Sequence, residues 1–105
     1  MLFRSVKKIT ANGTVSTVGT GFVAPIGVAV DAAGNVYVAD RGNSTIKKID
    51  TNNVTSNVVN TGLNAPQGVA LDANGAIFVA NTGGNNIVRI TGINTFDVVR
   101  SKSVV

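Results

Sequence analysis

Residues 25–40 read PIGVAVDAAGNVYVAD, and forty-one positions later residues 66–81 read PQGVALDANGAIFVAN. Extended without a gap, residues 20–50 and 61–91 are identical at fifteen of thirty-one positions, among them Pro25/Pro66, Gly27/Gly68, Asp31/Asp72, Gly34/Gly75, Gly42/Gly83, Ile46/Ile87 and Ile49/Ile90. A period near forty residues is that of a repeat architecture. Each unit of such an array is one supersecondary element that cannot bury its apolar faces alone and must stack on a neighbour.

Turn residues cut each unit into four strands. Residues 27–30 are nearly all apolar, which suits a strand covered on both faces. The Asp-Ala-Ala-Gly at 31–34 predicts a hairpin, with Asp31 accepting from backbone N–H groups ahead of it and Gly34 taking a positive φ. Residues 36–39 form a second apolar strand, and Asp40-Arg41-Gly42-Asn43 a second turn of the same kind. The third strand, 45–50, mixes Ile46 and Ile49 with Lys47 and Lys48 and is half wet. A more polar fourth strand follows at 54–60, and the loop at 62–66 leads to the next unit. Polarity thus rises from the first strand to the fourth, as in a radial blade whose inner strands are sandwiched by neighbouring blades. A β-sandwich would alternate apolar and polar residues in most strands instead. The expected fold class is all-β, a β-propeller with blades of four antiparallel strands.

At this point the motif P-x-G-V-A-[VL]-D-A-x-G-x-[VI]-[YF]-V-A-[DN], followed by Ile and a basic pair, resembles the NHL repeat. The resemblance implies a β-propeller, most often six-bladed, whose blades surround a central channel. Residues 3–22 look like the third and fourth strands of a preceding unit, with Val6-Lys7-Lys8-Ile9 answering Ile46-Lys47-Lys48-Ile49. Residues 92–105 should hold the last fourth strand, near 96–100. One propeller domain over 1–105 is expected: an outer half-blade at 1–24, a first full blade at 25–65 and a second at 66–105. The departure is Asn81, which stands where the first unit and the family pattern have Asp (Asp40).

About two and a half blades cannot close a ring, and they leave apolar faces and strand edges exposed. Homo-oligomerisation is therefore expected, because cyclic symmetry lets one face meet its complement in the next copy. Three copies give six full blades and are favoured. A dimer is the alternative, with strands enough for five blades by number only. A truncated piece of a larger NHL protein without independent function is the other reading.

Composition narrows the chemistry. Hydrophobic residues are 44% of the chain and charged residues 13%, the reverse of a disordered sequence. There is no Cys and no His, which removes disulfides, thiol nucleophiles, Ser-His-Asp triads and the usual zinc sites. Enzymes on related propellers, an amidating lyase and the streptogramin lyase type among them, rely on histidines or metal ligands in the channel, and this chain has none of the former. Asp31, Asp40 and Asp72 each precede a turn glycine with no second carboxylate close by, so they are expected to cap turns rather than hold a metal. No catalytic residue, cofactor or metal is expected, and the chain is read as not an enzyme. No window approaches the ~20 apolar residues of a membrane helix. MLFRSVKKIT lacks the apolar segment of a signal peptide, so a cytoplasmic location is the default and no membrane partner is expected.

In a propeller the loops joining strands two to three and four to one open on one face, and loops on a rigid scaffold carry recognition. That selects Arg41, Asn43, Ser44, Thr82, Asn85 and Asn86, with Phe22 and Gln67 from the other loop set, as binding a protein or small ligand. The net charge is +4, and Lys7, Lys8, Lys47, Lys48 and Arg89 recur at blade spacing. The alternative they raise is a basic stripe for RNA or another polyanion, with salt-sensitive binding. The leading expectation is a non-catalytic binding or scaffold module.

Overall fold

The computed structural model describes residues 5–101. They form ten strands: β1 (Val6–Ile9), β2 (Val15–Val18), β3 (Pro25–Val30), β4 (Val36–Asp40), β5 (Thr45–Ile49), β6 (Thr55–Val59), β7 (Pro66–Leu71), β8 (Ile77–Asn81), β9 (Asn86–Gly92) and β10 (Thr95–Ser101). Short 3-10 turns, Arg41–Asn43 and Thr82–Gly84, join β4 to β5 and β8 to β9. No helix among the described residues is long and apolar enough to cross a membrane.

The strands form three antiparallel meanders: a pair β1-β2, a blade β3-β4-β5-β6 and a blade β7-β8-β9-β10. The repeat in sequence is a repeat in register. Pro25 opposes Asp40 and, after a bulge, Gly27 opposes Ala39; Pro66 opposes Asn81 and Gly68 opposes Ala80 with the same bulge. Each proline opens the innermost strand of its blade, a position where an edge strand tolerates the missing N–H. The last strand, expected near 96–100, runs over Thr95–Ser101 and pairs β9 with two register shifts.

Because side chains alternate across a strand, each blade has two flanks. One flank of the first blade presents Tyr37, Ala39 and Ile46 to the second blade. There Ala39, Ile46, Val58, Val59, Leu63, Val79 and Val88 are buried, with Val69, Ile77, Ile90 and Phe96 packed around them. Its opposite flank packs Val38 and Ile49, with Phe22, against Val6 and Val18 of the β1-β2 pair. Fully burying one such aliphatic side chain contributes about 1.5–3 kcal/mol, so these two seams hold the molecule together.

The expectation that the innermost strand is covered on both faces holds only in part in each blade: in β7 Ala70 is exposed on the flank that faces away from the first blade. In β3, Ile26, Val28 and Val30 remain 55%, 55% and 60% exposed. Their repeat-mates Val69 and Leu71 are partly buried, Val69 packing in the seam between the blades. The physical reason is the missing neighbour: the β1-β2 pair answers the outer half of a blade and leaves the inner half of this flank open.

Between the two blades the innermost strands approach backbone to backbone. A Cβ added at Gly27 would lie 2.4 Å from the Gln67 carbonyl oxygen and 3.0 Å from Gly68 Cα, whereas at Gly68 it would meet only Ala80 Cβ at 3.5 Å. Gly27→Ala should therefore cost about 2 kcal/mol through overpacking, and Gly68→Ala less than about 0.5 kcal/mol. Urea melts of the two variants compare them directly; equal costs would refute this view of the seam.

Candidate functional site

The loops that end the inner hairpins converge on one rim. Asp40, fully buried, does not cap the turn that follows it. Its carboxylate reaches back to the loop entering β3, where Oδ1 accepts from the Val23 N–H at 3.0 Å and the Ala24 N–H at 2.8 Å. Oδ2 accepts from Asn43 Nδ2 at 2.9 Å, and the Arg41 N–H donates to the Ala24 carbonyl at 3.0 Å. In the second blade Asn81 Oδ1 accepts from the Asn64 N–H at 2.7 Å while its Nδ2 donates to Asn86 Oδ1 at 3.0 Å. The Gly83 N–H donates to the Asn64 carbonyl at 2.8 Å. Asp and Asn are interchangeable here because the staple needs an acceptor oxygen, which both carry.

These bonds tie the strand-two-to-three turn of each blade to the loop that enters the blade, so both loop sets lie on the same face. They also use up several of the polar groups expected to face a ligand. Asn43 and Asn86 are engaged in the staples, and Ser44 Oγ accepts from the Ala65 N–H at 3.2 Å, linking the first rim turn to the entry of the second blade. Ser44 and Asn85 hold the left-handed position that closes each 3-10 turn (φ 52° and 56°), their N–H groups donating to Arg41 and Thr82 carbonyls. Phe22 is not a rim residue: it is only 5% exposed and belongs to the seam with Val38 and Ile49. The sequence places it in the loop ahead of β3, but the ring is large and apolar and turns inward. Gln67 lies on β7 and is exposed. Among the described residues the rim thus presents Arg41, Thr82 and Asn85 outward, with Gln67 on the neighbouring strand.

The basic residues do not gather in one row. Neighbours in a strand point to opposite flanks, so Lys8, Lys48 and Arg89 share one repeat position and Lys7 and Lys47 another. Lys47 Nζ donates to the Gly21 carbonyl at 3.0 Å and lies 5.9 Å from the Phe22 ring, closing the loop over that ring. Lys7 Nζ donates to Thr17 Oγ1 at 2.6 Å. A polar position that sequence reasoning missed is Thr45, whose hydroxyl is buried without a hydrogen-bond partner; no local motif signals it.

Three of the other carboxylates cap turns, while Asp97 lies on β10 opposite Arg89. Asp31 Oδ1 accepts from the Ala33 and Asn35 N–H groups at 3.0 and 2.9 Å, and Oδ2 from Asn35 Nδ2 at 3.0 Å and the Tyr37 hydroxyl at 3.2 Å. Asp72 and Asp50 repeat the backbone part at 72–76 and 50–54. The Asn35 amide is the main cause that holds the Asp31 carboxyl below its ordinary range, against the desolvation that opposes it. Desolvation first, and then the bond to Asp31, pushes the Tyr37 hydroxyl up. Among the described residues no three His, Cys, Asp or Glu side chains gather where a metal ion would sit.

Stacked four-stranded meanders with rim loops on one face define a partial β-propeller of about two and a half blades. The fold matches virginiamycin B lyase from Staphylococcus aureus with a TM-score of 0.77 at 19% identity, over 95% of this chain and 36% of that one. A catalytically inactive histidine-to-alanine variant of the same lyase with quinupristin matches at 0.77 and 18% identity, over 91% and 34%. A streptogramin B lyase matches at 0.79 and 15% identity, over 90% and 33%. The chain spans about a third of the length of these structures. No curated protein matches its sequence. Residues 22–49, which hold the first three strands of the first full blade, match the NHL repeat family.

Two changes test the rim and its turns. Asp40→Ala leaves two backbone N–H groups without an acceptor and should cost about 2 kcal/mol, while Asp40→Asn, which keeps the oxygen as Asn81 does, should cost less than about 1 kcal/mol; equal losses in chemical denaturation would refute the staple. Asn35→Ala should move the Asp31 midpoint upward, followed by carboxyl carbon NMR. Since the folded pKa is depressed, the stability contributed by ionised Asp31 is present above the unfolded-state pKa and is lost as pH falls through the folded one. The variant should lose part of that contribution, and an unchanged midpoint would show that Asn35 is not the cause.

Proposed function

We propose that this chain is a non-catalytic scaffold and binding module that pairs with a copy of itself and presents its rim loops to a ligand or protein. What carries the proposal is a contrast between equivalent positions. Ile46 is fully buried in the seam between the blades, while its repeat-mate Ile87 is 42% exposed; Ile49 is 2% exposed, while its repeat-mate Ile9 is 70% exposed. The two outermost flanks are thus the two halves of one kind of seam. Ile9 with its cross-strand partner Val15, itself 59% exposed, forms one half. Ile87 with its partner Ala80 forms the other. Joining the halves between copies buries them both.

The copy number follows from the half-blade. Counting full blades alone favours three copies for six blades. With β1-β2 seated as a position of its own, each copy fills three positions, and two copies related by a two-fold axis along the channel fill six, the usual number for this repeat. Support for a non-catalytic role comes from composition: replacing one histidine inactivates the Staphylococcus aureus lyase, and this chain has no histidine. Its ordered carboxylates at Asp31, Asp40, Asp50 and Asp72 are committed to turns and staples. Multi-angle light scattering on the purified chain is expected to give twice 10.7 kDa, falling toward a single chain on Ile87→Lys. A single-chain mass for the unaltered protein would overturn the pairing.

A further inference from the structure

We infer that Asn74 is a self-modification site: the Gly75 backbone nitrogen attacks its side-chain amide, so that this position in the turn between β7 and β8 converts to aspartate and isoaspartate, while the fold protects Asn12, which carries the same Asn-Gly pair. The chemistry needs a following residue without a Cβ, because a side chain there hinders the approach of the backbone nitrogen to the amide carbon. Of the asparagines in the chain, only Asn12 and Asn74 precede glycine. Both are exposed, and Gly13 and Gly75 both take a positive φ, 88° and 83°.

The step balances with water and a base alone. The Gly75 nitrogen gives up its proton to solvent and bonds to Asn74 Cγ; the Cγ–Nδ2 bond breaks, and the amide nitrogen takes up a proton and leaves as ammonia. Water then opens the resulting five-membered succinimide. Cleavage between the Gly75 nitrogen and Cγ gives aspartate, whereas cleavage between that nitrogen and the main-chain carbonyl carbon gives isoaspartate, with the chain rerouted through Cγ. Either product lowers the net charge by one. It also places a new carboxylate in the open cleft of about 470 Å³ that residue 74 shares with Asp31 and Asp72.

The main chain treats the two pairs alike. The Gly13 N–H donates to the Thr10 carbonyl at 2.9 Å and the Gly75 N–H to the Asp72 carbonyl at 3.0 Å, a bond that has to open in either turn. The side chains differ. Asn12 Oδ1 accepts from the Thr10 hydroxyl, from the Thr14 hydroxyl at 2.9 Å and from the Thr14 N–H at 3.2 Å, so turning its amide toward the Gly13 nitrogen releases three bonds. In the turn of the second blade that capping falls to Asp72, whose Oδ1 accepts from the Asn74 and Ala76 N–H groups at 2.9 and 2.8 Å. The Asn74 side chain is left over: among the described residues it has no hydrogen-bond partner, and it is free to rotate onto the Gly75 nitrogen. The first blade shows that the turn does not need it, because Ala33 holds the equivalent position with the same backbone bonds to Asp31.

The test incubates the full chain at mildly alkaline pH and follows both Asn-Gly pairs by peptide mapping, with an isoaspartate-specific methyltransferase to tell isoaspartate from aspartate. Conversion at residue 74 is expected to run about fivefold faster than at residue 12, because only Asn12 is tied down by its neighbours. In urea, where Thr10 and Thr14 no longer hold Asn12, the two rates should agree to within about a factor of two. In the folded chain, Thr10→Ala combined with Thr14→Val should raise the rate at residue 12 toward that at residue 74. Asn74→Ala, which copies the turn of the first blade, should remove most of the acidic form seen on ion exchange and leave the melting temperature unchanged. Equal rates at the two sites in the folded chain, faster conversion at residue 12, or a difference that persists in full in urea would overturn the inference.

Discussion

The blades of this molecule depend on one another to bury their facing flanks. A four-stranded meander of this composition has apolar side chains on both flanks of its inner strands, and nothing within one blade can bury them both. The seam between β3-β6 and β7-β10 shows the arrangement satisfied: Val79 and Val88 come from one side, Ala39 and Ile46 from the other, and all four are fully buried. Glycine at 27 is part of the same constraint, since the two innermost strands meet backbone to backbone. Solvent-exposed repeat-mates of these residues therefore have a direct meaning. On the pairing proposed above, they are the surfaces that a second copy would cover.

The rim is the second consequence. Stacking fixes the blades but not the loops, and the loops are fixed by acceptor oxygens at the ends of β4 and β8. Asp40 and Asn81 fold the entry loop of each blade onto its own rim turn, so that polar side chains which look like recognition groups in sequence serve mostly to hold the backbone. What is left facing outward is small: Arg41, Thr82 and Asn85. In the proposed assembly, recognition would depend on how copies bring several rims together.

Much of this was legible in the residues because its causes are local. Asp, Gly and Asn mark turns through their own backbone chemistry, and so the expected strands 36–39 and 45–50 fall within a residue of Val36–Asp40 and Thr45–Ile49. The same holds for the turn role of Asp31 and Asp72. What could not be read is which neighbour a side chain has. Val28 and Val69 are the same letter in the same motif, and only the presence of a blade beside one of them separates their exposure. Phe22 was misplaced for a related reason, since its burial depends on β1, β2 and β4 meeting in space. Asp40 was expected to serve its own turn; it does hold Asn43 there, yet its two backbone partners lie 16 and 17 residues upstream, a distance no local rule reaches.

Side-chain footprinting with a photoactivated carbene tests the central claim most directly, because it reads flank coverage residue by residue and carries its own controls. Ile9, Val15 and Ile87 lie on the flanks, whereas Ile93 and Val54, 70% and 57% exposed, lie in outer turns away from them. At concentrations where the chain is assembled, the account predicts that Ile9, Val15 and Ile87 label several-fold more slowly than on dilution while Ile93 and Val54 stay unchanged. Labelling of all five that is independent of concentration and tracks their single-chain exposure would contradict it.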